Sequence, residues 1–226
     1  MIEMDQMPQL PVNTGEKHIA CVVLVDTSGS MLGASIRELN EGLKELARAL
    51  QEDVTASGCA DVAVVSFNST VSTVVPFCPA YSFNPPELTA SGMTAMNEAI
   101  ITGLDILEER KMLYRQYGTP YFRPWMFLLT DGAPTDSIYE SAALQRIQEA
   151  IQEKKVTFWP MGIGEGADIN RLKKYANGGA VFKATASQFK EAFVWLSNSM
   201  SVIGNSDGKT QQINLPPTPP VLTVEL

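Results

Sequence analysis

Histidine is almost missing from this chain: His18 is the single one in 226 residues. A serine nucleophile would have one candidate base, and that base stands before the first apolar run. It lies about 26 Å from Asp26 if the intervening residues are extended, beyond any hydrogen bond. Cysteine is sparse and odd in number, with Cys21, Cys59 and Cys78 alone. That count argues against a disulfide framework and for reduced thiols, with a Cys59–Cys78 bridge left open. Positive charge is in deficit, 17 Lys and Arg against 25 Asp and Glu for a net charge of −8. Such a balance excludes a general affinity for nucleic acid or anionic membranes. No window approaches the ~18 uninterrupted apolar residues of a membrane span. The opening residues carry Glu3 and Asp5 and lack a basic segment followed by an apolar one, so no secretory signal is expected. The expectation is a cytoplasmic protein with one α/β domain.

What the chain has is apolar strands that end in acids. Val22-Val23-Leu24-Val25 runs into Asp26-Thr27-Ser28-Gly29-Ser30. A parallel strand buried on both faces reads as a continuous Val/Ile/Leu run, and open α/β sheets gather ligands beyond the carboxyl ends of such strands. Trp125-Met126-Phe127-Leu128-Leu129 ends likewise in Thr130-Asp131-Gly132, and Ser91-Gly92-Met93-Thr94 sets a threonine at the start of a long helical pattern. Asp26, Ser28, Ser30, Thr94 and Asp131 together form an all-oxygen set suited to a hard cation, Mg²⁺ first, with Mn²⁺ or Ca²⁺ as alternatives. Neutral hydroxyls quench little of a double charge, so the arrangement suits an acid offered by another molecule.

Strands are expected at 18–25, 61–67, 71–77, 125–130, 156–161 and 180–182, and helices at 35–50, 94–117, 138–154, 169–176 and 187–202. Ile36, Leu39, Leu43, Leu46 and Leu50 keep helical spacing. Only Asn68-Ser69-Thr70 separates the second and third strands, which implies an antiparallel hairpin. The alternation predicts a mostly parallel sheet with one antiparallel edge strand and helices on both faces.

These motifs resemble the von Willebrand factor A domain, and the five residues match its metal-ion-dependent adhesion site. The resemblance implies a Rossmann-like fold over 17–203, between an N-terminal extension (1–16) and a Pro-rich tail (204–226). It also implies direct cation ligation by Ser28, Ser30 and Thr94, with Asp26 and Asp131 acting mostly through water. A partner protein would present Asp or Glu to complete the shell, over a rim of Met31, Met93, Met96 and Asp136. Leu107-Glu108-Glu109-Arg110, Tyr121-Phe122-Arg123-Pro124-Trp125, Thr130 through Asp136 and Trp195-Leu196-Ser197 resemble stand-alone bacterial proteins of the YegL-like kind. Those are associated with tellurite-resistance-type stress modules or with a kinase and a phosphatase, which implies an adaptor role. In related domains the last helix slides when the metal site changes ligands, so a coupled switch is a further expectation.

Three other features are weaker. Gly162 to Gly166 lacks the full dinucleotide spacing and reads as a strand-to-helix turn. The basic and aromatic stretch from Arg110 to Arg123 reads as a solvated helix face and a packed loop, not a single-strand binder. Pro216-Pro217-Thr218-Pro219-Pro220 reads as a tail folded back or mobile, with a polyproline ligand as the alternative. No catalytic residue is expected. The alternative function, a metal-dependent phosphohydrolase, lacks a Lys or Arg in the three site segments to stabilise a transferring phosphoryl group.

Overall fold

Strand β1 (Ile19–Asp26) is buried at every position, and its side chains alternate between two cores. Cys21, Val23 and Val25 enter one, while Ala20, Val22 and Leu24 enter the other. That two-sided burial demands a helical layer on each face. The structure, a computed structural model, describes residues 15–131, 133–164, 166–206, 215–219 and 223–225. Residues 1–14 of the expected extension, Gly132, Glu165 of the glycine-rich turn, and 207–214 and most of 220–226 in the tail lie outside them.

After β1 come α1 (Ala34–Glu52), α2 (Val54–Cys59), β2 (Ala60–Phe67), β3 (Val71–Pro79) and α3 (Met96–Gln116). The chain continues through β4 (Trp125–Thr130), α4 (Glu140–Gln152), β5 (Thr157–Ile163), α5 (Ile169–Tyr175), β6 (Val181–Ala184) and α6 (Phe189–Gly204). A three-residue strand, β7 (Thr223–Glu225), follows in the tail. The sheet order is β3-β2-β1-β4-β5-β6-β7. The pairs β2–β1, β1–β4, β4–β5 and β5–β6 are parallel, and the β2–β3 hairpin is antiparallel as expected. β7 adds a second antiparallel partner at the opposite edge, on β6, which the sequence did not announce. The first core is closed by side chains of α1, α2 and α6, the second by those of α3, α4 and α5. Gly42 lets α6 come close to α1, since a Cβ there would meet the Phe193 ring at 2.8 Å.

All three cysteines are free and buried, and burial pushes the Cys59 thiol up to about 12. At the amino end of the strands, Asp61 collects His18 Nδ1 at 3.0 Å, Arg110 Nη2 at 3.0 Å and the Tyr114 hydroxyl. Arg110, Lys111 and Tyr114 are buried, which corrects the reading of those three as part of a solvated face, while Arg115, Tyr117 and Arg123 are exposed as expected. Arg110 instead lies over the Phe77 and Tyr114 rings. His18 is thus committed to a structural cluster, away from the strand ends where the hydroxyls gather. No helix among the described residues is long and apolar enough to cross a membrane.

Candidate metal centre

β1 and β4 are neighbours in parallel register, so their terminal acids emerge side by side. Asp26 is wholly buried. Its Oδ1 accepts from the Ser28 amide at 2.8 Å, and its Oδ2 accepts from the Thr130 hydroxyl at 2.6 Å. Ser28 Oγ lies 3.0 Å from Ser30 Oγ, and the Ser30 hydroxyl donates to Asp131 Oδ1 at 2.7 Å. Asp26, Ser28, Ser30 and Asp131 therefore form one connected polar group. It grades from a buried Asp26 and Ser28 to an exposed Ser30, so it opens toward solvent.

Thr94 joins this group through its loop. The Gly29 amide donates to Gly92 O at 3.0 Å, and the Ser91 amide to Thr27 O at 2.8 Å. Gly92 has φ +74°, and a Cβ there would collide with the Ser69 hydroxyl; that hydroxyl instead accepts from the Met93 amide at 3.0 Å. Glycine is the residue that permits this close, left-handed turn. Thr94 is buried. Its amide donates to Thr135 Oγ1 at 3.0 Å, and its carbonyl accepts from the Thr135 amide at 2.9 Å. The loop after β4 thereby holds the loop before α3.

Burial lifts the Asp26 carboxyl above the usual carboxylate range. Hydrogen bonds from Ser28 and Thr130 oppose that rise, and the charge of Asp131 adds to it. Two acids held this close and partly out of water are relieved by a cation. No group of three or more His, Cys, Asp or Glu side chains suited to a metal occurs among the described residues, so hydroxyls must furnish the remaining donors. The set is all oxygen, which fits a hard divalent ion.

The rim differs from expectation at two positions. Met31 and Met96 are completely buried, Met31 in the first core and Met96 in the second. Neither can meet a partner. Met93 is 57% exposed, and Leu32 and Ile138, which the sequence did not single out, are 65% and 83% exposed. Each belongs to one of the three loops that carry the polar group. Asp136 is half-buried and already engaged: it accepts from the Glu98 amide at 2.8 Å and from Asn97 Nδ2 at 2.9 Å. It caps α3. Sequence reasoning also passed over Thr130 and Thr135, whose hydroxyls fix Asp26 and Thr94; a hydroxyl before or after a strand-end acid is the only signal they offer.

The sequence model of the von Willebrand factor type A domain matches residues 21–194. A curated relative, inter-alpha-trypsin inhibitor heavy chain H2 of Mus musculus, is 26% identical over 164 residues, which cover 68% of this chain and 16% of that protein. The chain thus spans well under half of that relative. Among solved structures, von Willebrand factor type A from Catenulispora acidiphila superposes with a TM-score of 0.61 at 20% identity, over 82% of this chain and 43% of that one. Proximal thread matrix protein 1 from the mussel byssus, solved with a zinc-occupied MIDAS motif, gives a TM-score of 0.55 at 17% identity, over 82% of this chain and 48% of that one. At these identities the structural likenesses speak for the fold.

Proposed function

The chain belongs to the von Willebrand factor type A domain family, and on that premise we propose that it is a divalent-cation-dependent protein-interaction module. Domains of this family mediate metal-dependent protein interactions. The observation that carries the reading is the polar chain from Ser28 through Ser30 to Asp131, with Asp26 fixed beside it. A bound divalent cation would supply an oxygen-seeking positive centre here. Ser28, Ser30 and Thr94 offer neutral oxygens that leave most of its charge unquenched. Asp26, oriented by Thr130, and Asp131 would hold it and its waters. The natural ligand for the open side is an Asp or Glu of a partner protein, flanked by apolar residues that meet Leu32, Met93 and Ile138.

The finer reading is Mg²⁺ as the ion and an intracellular adaptor role in bacterial stress or signalling. The sequence resemblance supports that reading, as it does a domain of 17–203. A phosphohydrolase gains nothing from the geometry, because the site segments bring no cationic side chain to the hydroxyls. The test is cation titration by calorimetry, with Ser28→Ala and Thr94→Ala, followed by partner capture with and without chelator. Loss of both cation and partner binding in the variants is expected. Unchanged capture in chelator would overturn the reading.

A further inference from the structure

Residues 215–219, Leu-Pro-Pro-Thr-Pro, return from beyond α6 and lie against the flank of that helix that carries Trp195. Prolines have no amide hydrogen, so Pro216, Pro217 and Pro219 offer only carbonyls and ring faces and cannot donate to a sheet ladder. A segment of this kind is read through its carbonyls and ring faces, usually by aromatic side chains. The contact here has that form: the Trp195 indole N–H donates to the Pro216 carbonyl at 3.0 Å. Lys190, Val194 and Asn198, one helical turn apart on α6, border the same cleft with Pro216, Pro217 and Pro219. Trp195 is seated by aromatic neighbours, edge-on to Trp159 at 5.5 Å and near Phe182 at 5.8 Å, so its N–H is pre-aimed. Leu215 packs against the first core.

A solvent-open cleft of about 350 Å³, bordered by α6 on one side and the prolines on the other, continues beside the contact, so the groove extends beyond what the chain's own segment covers. We propose that the Trp195 side of α6 is a recognition groove for proline-rich segments, filled in cis by the chain's own Pro216–Pro219 stretch and open to the proline-rich segment of a partner protein that displaces it. The groove is independent of the cation-binding reading, since it lies on a helix flank and needs no ion.

The test uses the full chain and a synthetic peptide, Ile-Asn-Leu-Pro-Pro-Thr-Pro-Pro-Val-Leu, as the stand-in for the partner. The indole N–H resonances report binding, and Trp195→Phe assigns the relevant one. Pro216→Gly with Pro217→Gly loosens the cis segment without touching the core. Because a short tether holds its segment at about millimolar effective concentration, loosening it should tighten apparent peptide affinity about tenfold. A peptide with alanine for every proline should leave the Trp195 resonance unmoved, in chelator as in Mg²⁺. The proposal is overturned if the loosened variant shows no shift of that resonance at millimolar peptide. It is equally overturned if the alanine peptide binds as well, or if the chain instead forms concentration-dependent dimers by exchanging tails.

Discussion

Lowering the pH should weaken cation binding, and the cause lies in Asp26. Its carboxyl is raised by burial, with Asp131 adding to the rise, whereas in the unfolded chain an aspartate titrates near 3.9. Between those two values the native state keeps a proton that the unfolded state gives up. The metal-free protein is therefore fully stable with respect to this group below about pH 3.9 and loses stability as pH climbs through the native value, by about 1.4 kcal/mol per unit of separation. Cation binding runs the other way. The carboxylate must be ionised to serve an ion, so binding expels the proton. The association constant should rise about tenfold per pH unit below the native Asp26 pKa and level off above it. Calorimetric titration with Mg²⁺ and Mn²⁺ between about pH 4 and pH 7 measures this, and thermal melts with and without chelator measure its stability counterpart. Asp26→Asn should remove the pH-dependent loss of stability and most of the affinity. Affinity flat across that window, together with an Asp26→Asn variant that binds as the parent does, would refute the reasoning. Asp61 cannot mimic the effect. Burial alone would raise it, but His18 and Arg110 hold it low, so its contribution is present above about pH 3.9 and disappears only as the pH falls further.

Removing the Asp61 charge should be severe, because Arg110 would remain buried without its counter-ion; Asp61→Asn should cost about 3–5 kcal/mol in urea denaturation and leave cation affinity unchanged. Asp136→Ala strips the start of α3 of the acceptor for Glu98 and Asn97 and should cost about 1–2 kcal/mol by the same measurement. Gly92→Ala meets both a positive φ and the Ser69 hydroxyl; a stability loss of at least about 1 kcal/mol and a weakened calorimetric cation signal are expected, as the Thr94 loop is pushed aside.

The parts of the fold that were legible in the sequence are those where one physical rule dominates. β1 and β4 announce themselves because burial on both faces forces an unbroken apolar run, and an acid cannot continue it. The same endings delivered Asp26 and Asp131, and the alternate hydroxyls delivered Ser28 and Ser30. Side-chain direction was not legible. Met31 sits one residue after Ser30, yet it turns into the core within a short 3-10 turn at 29–31, while Leu32 beside it faces solvent. Arg110 and Tyr114 look like surface residues until β2 places Asp61 beneath them, a pairing 49 residues apart for Arg110 that no local pattern encodes. α2 escaped notice because Val-Thr-Ala-Ser-Gly-Cys has no amphipathic period; Asp53, whose side chain accepts from the Ala56 amide, starts it. β7 is three residues long and follows a proline run, so only tertiary pairing reveals it.

The pairing of β7 with β6 has a practical meaning for anyone shortening this protein. Val181, Phe182 and Lys183 face residues 223–225 across that seam. Trimming the chain just past α6 would strip the seam and leave β6 with raw backbone donors and acceptors turned outward, an invitation for like molecules to stack edge to edge. Such trimmed material should precipitate where the longer chain stays in solution, even with every proposed cation ligand in place.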